Sequence, residues 1–222
     1  MAGPTYRAVL FDLDGTLIDS LADIANAANK VLGMQGFPKH SLESYKTFIG
    51  EGVKTLFQRA LPSNHRDDGT VARCVAGFHE VYDRGWNLQT RLYDGIPELL
   101  DALIARGLQL AVLSNKPDPF TKACVDEFCA RWPFRAVLGA REGIPNKPDP
   151  ASAFEIAELL GCKPEQFLYI GDTSVDMQTA RRAGMRAVGV SWGFRSVDEL
   201  RSSGAEIVVN RPQQILELLG GL

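Results

Sequence analysis

The sequence predicts an α/β chain: a doubly wound parallel sheet into which an all-helical block is inserted. Three observations carry this reading. Short apolar runs without polar alternation recur along the chain, the first at Ala8–Phe11 and five more after residue 107. Between the later runs lie stretches with apolar residues at helical spacing. Residues 18–88 hold helical stripes and no strand-like run.

Taken in order, Ala8-Val9-Leu10-Phe11 reads as a strand buried on both faces, because a half-exposed strand would alternate apolar with polar. The chain then leaves the sheet near Leu17. Asp19 or Ser20 is placed to cap a helix whose stripe is Leu21, Ile24, Ala28, Val31 and Leu32. Further helices are expected within 41–48, 52–61 and 66–85. The chain returns near Leu92. Ile96, Leu99, Leu100 and Leu103 form the next stripe, with Gly107 where a C-terminal cap belongs. Leu108–Leu113 and Ala136–Leu138 are strands. Ala153, Ile156, Ala157 and Leu160 form a helix closed by Gly161. Phe167–Ile170, Ala187–Val190 and Ile207–Val209 complete the sheet. The expected domains are a core of 1–17 with 90–222 and a helical domain of 18–89.

Composition bounds the function. Of 222 residues, 45% are hydrophobic and 23% charged, enough apolar material for a large core. Net charge is −3, which disfavours general nucleic-acid binding because a phosphate backbone demands a cationic surface. Cys74, Cys124, Cys129 and Cys162 form no CxxC pair and have no histidine at zinc-finger spacing, so they read as reduced thiols. Met1–Arg7 lacks the basic-then-apolar pattern of a signal peptide. No apolar run reaches the ~18 residues of a membrane span. A cytoplasmic protein with no membrane partner is expected. Monomer and homodimer both fit.

Four segments carry chemistry. Asp12-Leu13-Asp14-Gly15-Thr16 puts two carboxylates at the carboxyl end of the first strand, the edge where open α/β sheets bind ligands. Strand alternation would set Asp12 and Asp14 on one side. A bland turn would use the same Asp-Gly pair. Gly171-Asp172-Thr173-Ser174-Val175-Asp176 follows a later strand, and its two acids would share a face if a helix began there; capping acids at a helix start look the same. Ser114-Asn115 and Asn146-Lys147-Pro148 are weak alone, being common turn and loop sequences. Together the four deliver carboxylates, a hydroxyl and a lysine to one edge. Converging carboxylates repel unless a cation sits among them, and oxygen ligands without Cys or His point to Mg²⁺. A lysine and small donors facing that cation describe a phosphoryl site.

In this set and order, Asp12–Thr16, Ser114-Asn115, Lys147 and Gly171–Asp176, the chain resembles the haloacid dehalogenase superfamily, in particular its phosphatases with a helical cap inserted after the first motif. Ile49–Val53 and Gly189–Phe194 resemble segments of the phosphoglycolate phosphatases within it, although many of those have Asn where this chain has Glu51. The resemblance implies Asp12 as nucleophile and Asp14 as general acid and base, its backbone carbonyl also on the metal. It implies Mg²⁺ held by Asp12, Asp14 and Asp172, with Asp176 either a ligand or a support for Lys147. Ser114, Asn115 and Lys147 would hold the phosphoryl group. Leu13 and Gly15 would offer backbone amides, and Thr16 would orient Asp12 or support the turn. The cap loop Gly50, Glu51 and Gly52 would meet the substrate, a small phosphorylated metabolite with 2-phosphoglycolate the first expectation. Other phosphoesters, pyrophosphate, and transfer to a sugar phosphate stay open. A dehalogenase would lack Asp14, and a phospho-acceptor signalling module would lack the insertion. Arg195 reads as a solvated arginine, the three histidines as surface or packing groups, and Trp192 as packing on a segment that could approach the site.

Overall fold

A computed structural model describes residues 6–220. The chain divides into two compact units, Met1–Ile18 with Leu92–Leu222, and Asp19–Arg91.

The first unit is built on six parallel strands. β1 (Ala8–Phe11) is buried at all four positions, as its unbroken apolar run requires. At the crossing between units the chain forms β2 (Ile18–Asp19). The second unit is helical, with α1 (Leu21–Met34), α2 (Leu42–Phe48), α3 (Val53–Ala60) and α4 (Asp68–Asp83). Ser20 stands at the head of α1, but its side chain makes no capping bond. Ser41 and Asp67 do cap α2 and α4, accepting from the amides of Ser44 and Thr70. α1 lays its buried stripe on α4, and Phe57, Phe78 and Tyr82 pack ring against ring between α3 and α4. Buried Asp23 ties the end of this unit to its first helix. Its Oδ2 accepts from the amides of Gln89 (2.9 Å) and Thr90 (2.8 Å) and from the Thr90 hydroxyl (2.7 Å).

The chain re-enters the first unit through β3 (Arg91–Leu92), which pairs with β2 in a two-stranded ribbon. These two-residue strands went unpredicted, being too short to show a period. Then follow α5 (Ile96–Ala105), β4 (Gln109–Pro117), α6 (Asp118–Phe128), β5 (Phe134–Ala140), α7 (Ala151–Leu159), β6 (Phe167–Gly171), α8 (Ser174–Ala183), β7 (Arg186–Val190), α9 (Val197–Ser202), β8 (Ile207–Val209) and α10 (Gln214–Glu217). The strand order is β5-β4-β1-β6-β7-β8, so the winding reverses about β1. Ala8, Leu10, Ala111, Phe167 and Tyr169 face one core shared with α7 and α8. Their strand neighbours Val9, Phe11, Leu110, Val112, Leu168 and Ile170 are equally buried, so the sheet is covered on both faces. Among the described residues no helix is long and apolar enough to cross a membrane.

Register positions the site. Phe11 pairs with Val112 on one side and Ile170 on the other. The next residues of the three strands therefore lie at one level along the sheet. Those residues are Asp12, then Leu113-Ser114, then Gly171-Asp172.

Candidate active site

Asp12, Asp172 and Asp176 bring carboxylate oxygens within 4.8 Å of one another, all buried. Lys147 closes the group. Its ammonium donates to Asp12 Oδ1 (2.8 Å), Asp176 Oδ1 (2.7 Å) and the Leu113 carbonyl (2.9 Å). Lys147 is carried there by Asn115, whose side chain donates to the Lys147 carbonyl (3.0 Å) and accepts from its amide (2.9 Å). The second and third motifs are thus tied to each other by the Asn115 side chain on the Lys147 backbone.

The electrostatics follow from burial. Desolvation, and after it repulsion from Asp176, pushes the Asp12 carboxyl up to about 7. Burial and then the charges of Asp12 and Asp176 hold Asp172 well above the usual carboxylate range. Burial alone would lower Lys147, but the carboxylates of Asp12 and Asp176 outweigh it and keep the ammonium charged. With all three ionised, three carboxylates against one ammonium would leave two negative charges, which is what the raised Asp12 and Asp172 resist and what a cation would offset; every ligand atom is a hard oxygen. That donor set fits a divalent cation of the Mg²⁺ type.

Asp172 is held by the turn after β7. Its Oδ2 accepts from the Phe194 amide at 2.8 Å, and its Oδ1 accepts from the Thr16 hydroxyl at 3.3 Å. Thr16 therefore orients Asp172 rather than Asp12. The turn is pinned by Trp192, whose indole donates to the Thr16 carbonyl at 3.0 Å. Arg195 is not solvated as expected. Its side chain is 9% exposed, pairs with Glu199 and adds a positive charge near Asp172.

The expected helical face shared by Asp172 and Asp176 is also corrected. α8 starts at Ser174, so Asp172 precedes the helix, while Asp176 is its third residue. There Asp176 Oδ2 accepts from the Thr173 amide (3.1 Å) and hydroxyl (2.6 Å), forming a capping box. Both Asp176 oxygens are thus engaged, one by the cap and one by Lys147.

Gly15 does not offer its amide to a ligand, because that amide donates to the Ile18 carbonyl at 2.9 Å. Leu13 is fully buried and its carbonyl closes the turn, accepting from the amides of Thr16, Leu17 and Ile18. Ser114, expected in a turn, lies within β4, where its hydroxyl accepts from the Lys116 amide at 3.2 Å. Asp14 stands apart from the three-carboxylate cluster and pairs with Lys116, Nζ to Oδ1 at 2.7 Å. Lys116 was missed from sequence. So were Thr173, Phe194 and the function of Trp192. Gly50, Glu51 and Gly52 lie in the helical unit between α2 and α3, where Glu51 pairs with Arg59. The three histidines lie in the helical unit. His40, for one, packs on Phe48 and bonds the Ala60 carbonyl.

Comparison with known proteins agrees with this geometry. A phosphoglycolate phosphatase of Pseudomonas putida is 32% identical over 218 residues, covering 96% of this chain and 80% of its own. One from Aquifex aeolicus is 33% identical, covering 96% of both chains. The solved structure of a predicted phosphoglycolate phosphatase from Haemophilus somnus superposes with a TM-score of 0.88 at 29% identity, covering 96% of this chain and 97% of that one. The family model for haloacid dehalogenase-like hydrolases matches residues 9–190, spanning the four motif segments up to Asp176. The chain belongs to the haloacid dehalogenase-like hydrolases.

Proposed function

We propose that the protein is a Mg²⁺-dependent phosphomonoester hydrolase that converts 2-phosphoglycolate to glycolate and phosphate through an aspartyl-phosphate on Asp12. The observation that carries this reading is the buried Asp12 carboxylate, fixed at the end of β1 by Lys147 and facing Asp172 and Asp176. The substrate follows the two relatives named above. A small phosphorylated metabolite in the cytoplasm is the expected partner.

Asp12 and Asp172 would hold Mg²⁺, with the Asp14 backbone carbonyl as the family resemblance implies; the ion supplies positive charge to the transferring phosphoryl oxygens. Lys147 keeps Asp12 directed at phosphorus and adds a second positive charge. Asp12 forms a bond to phosphorus as the bond to the leaving oxygen breaks. Asp14 gives that oxygen its proton. Water then attacks the phosphorus of the aspartyl-phosphate, and Asp14 takes its proton. The bond to Asp12 breaks, and the carboxylate returns to its starting state. Ser114 and Asn115 flank the phosphoryl position from β4. Asp176 acts through Lys147, which it holds in place.

Phosphate release from a panel of small esters, with Mg²⁺ or with chelator, tests this. Dominant Mg²⁺-dependent turnover of 2-phosphoglycolate, lost in Asp12→Asn, is the expected result. Dominant turnover of pyrophosphate or of another ester would replace the substrate. Activity that required a sugar bisphosphate would replace hydrolysis by transfer.

A further inference from the structure

We propose that Tyr169 is a positioning residue for the reaction: its hydroxyl accepts from the Lys147 ammonium when the Asp12 carboxylate becomes an acyl phosphate. This inference rests on the aspartyl-phosphate reading above and adds to it the group that steadies Lys147 at that stage.

Tyr169 lies on β6 and pairs with Leu10 of β1, two residues before Asp12. Strand alternation puts Phe167, Tyr169 and Gly171 on one face of the sheet, the face that α7 and α8 cover. Gly171 has no side chain there. A Cβ at that position would lie 2.3 Å from the Asp176 Cβ, so the Asp176 side chain fills the space above it. Tyr169 is the next side chain along the same face and is fully buried. Its hydroxyl lies beside the Lys147 ammonium, whose charge acts on it more strongly than those of Asp176 and Asp12. Yet this hydroxyl makes no well-formed hydrogen bond. The cause is the lysine. An ammonium has three N–H donors, and those of Lys147 go to Asp12, Asp176 and the Leu113 carbonyl. Packing does not call for the Tyr169 oxygen, since a buried hydroxyl without a partner costs stability and phenylalanine would fill the same space without that cost. The proposed reaction does call for it. The Asp12 carboxylate accepts from Lys147 while it is charged. Once one of its oxygens is bonded to phosphorus, the carboxyl group carries no charge, and the contact with Lys147 falls from a charge-assisted hydrogen bond between ions to a weaker one. One N–H then turns from Asp12 to the Tyr169 oxygen, and no proton or covalent bond changes hands in that step. The other two N–H groups keep the ammonium on Asp176 and the Leu113 carbonyl.

Tyr169→Phe removes that oxygen alone and so provides the test. The probe is whichever phosphoester of the panel above wild type hydrolyses fastest. Enzyme in excess over ester, with Mg²⁺, gives a single turnover in which the rate of alcohol release reports phosphoryl transfer to Asp12. Loss of one hydrogen bond to a charged group corresponds to about 10-fold. At saturating enzyme, alcohol release should therefore be about 10-fold slower in Tyr169→Phe than in wild type. The enzyme concentration giving half the maximal rate should not change, because the hydroxyl acts only after the ester is bound. The urea midpoint of the variant should equal or exceed that of wild type, since no bonded group has been lost. Alcohol release at the wild-type rate would overturn the assignment of Tyr169 and leave the phosphatase reading standing. A slower release accompanied by a lower urea midpoint would also overturn it, because the hydroxyl would then be part of the packing. Wild type that releases alcohol from no ester of the panel would overturn the phosphatase reading and this inference with it.

Discussion

Replacing Gly193 by alanine tests how Asp172, a proposed metal ligand, is held. A methyl group at 193 would be built 2.5 Å from the Gly15 carbonyl oxygen, and closer still to the Asp172 side chain. Ordinary contacts to carbon are about 3.5 Å, so something must move by about 1 Å. The loop after β1 has little room to give. Gly15 is at φ 90°, and its own Cα faces Asp172 so closely that a Cβ there would lie 2.7 Å from Asp172 Cγ. The next carbonyl is held by Trp192. The displaced group is then Asp172, which loses its bond from Phe194. A misplacement of about 1 Å costs on the order of 100-fold in rate. The assay is phosphate release across a Mg²⁺ titration. The expected result is a higher Mg²⁺ requirement and a kcat/KM about 100-fold lower at saturating metal. Overpacking should also cost about 1–3 kcal/mol in urea unfolding. Gly161→Ala is the control, because nothing lies within 4 Å of a Cβ there. It should change stability without changing the metal requirement. Gly193→Ala with wild-type turnover and wild-type Mg²⁺ dependence would refute the reasoning.

Other consequences are equally concrete. Lys147→Met leaves Asp12 and Asp176 buried without their cation, so it should destabilise the fold by about 3–5 kcal/mol in urea titration as well as abolish turnover. The folded Asp12 carboxyl titrates at about 7, above its ordinary 3.8, so between those values the folded chain keeps a proton that the unfolded chain has released. Stability in chelator should therefore fall as pH rises from 4 to 7, by at most about 1.4 kcal/mol per pH unit for this group. Mg²⁺ should then raise the melting temperature more at pH 8 than at pH 5; an equal increment at both would contradict the account. In the helical unit, Asp23→Ala removes the acceptor of three hydrogen bonds and strands two backbone amides, a loss of about 2–4 kcal/mol readable by thermal melting.

Much of the site was readable because its pieces sit at the ends of apolar runs. Asp12 follows Phe11, Asp172 follows Gly171, and parallel register brings such ends together without further information. What could not be read depended on backbone path or on partners far along the chain. Lys116 looks like any lysine before a proline until β4 is seen to continue through Pro117. Asp172 and Asp176 were four apart in either reading, and only the start of α8 at Ser174 separates a loop carboxylate from a capping one. Arg195 resembles a surface residue, yet the turn that delivers the Phe194 amide to Asp172 also buries its side chain. For Thr16 the sequence leaves open orienting Asp12 or supporting the turn, whereas its hydroxyl donates to Asp172, 156 residues away. The helical stripe from Leu21 to Leu32 was legible, since amphipathic periodicity needs no tertiary knowledge.

The central claim is that Asp12 carries the phosphoryl group. Its most direct test is rapid acid quench of a single turnover with ³²P-labelled 2-phosphoglycolate and Mg²⁺, followed by peptide mapping. The account predicts a hydroxylamine-sensitive label on the peptide containing Asp12, absent with chelator and absent in Asp12→Asn. Undiminished turnover in Asp12→Asn, or a label on another residue, would contradict it.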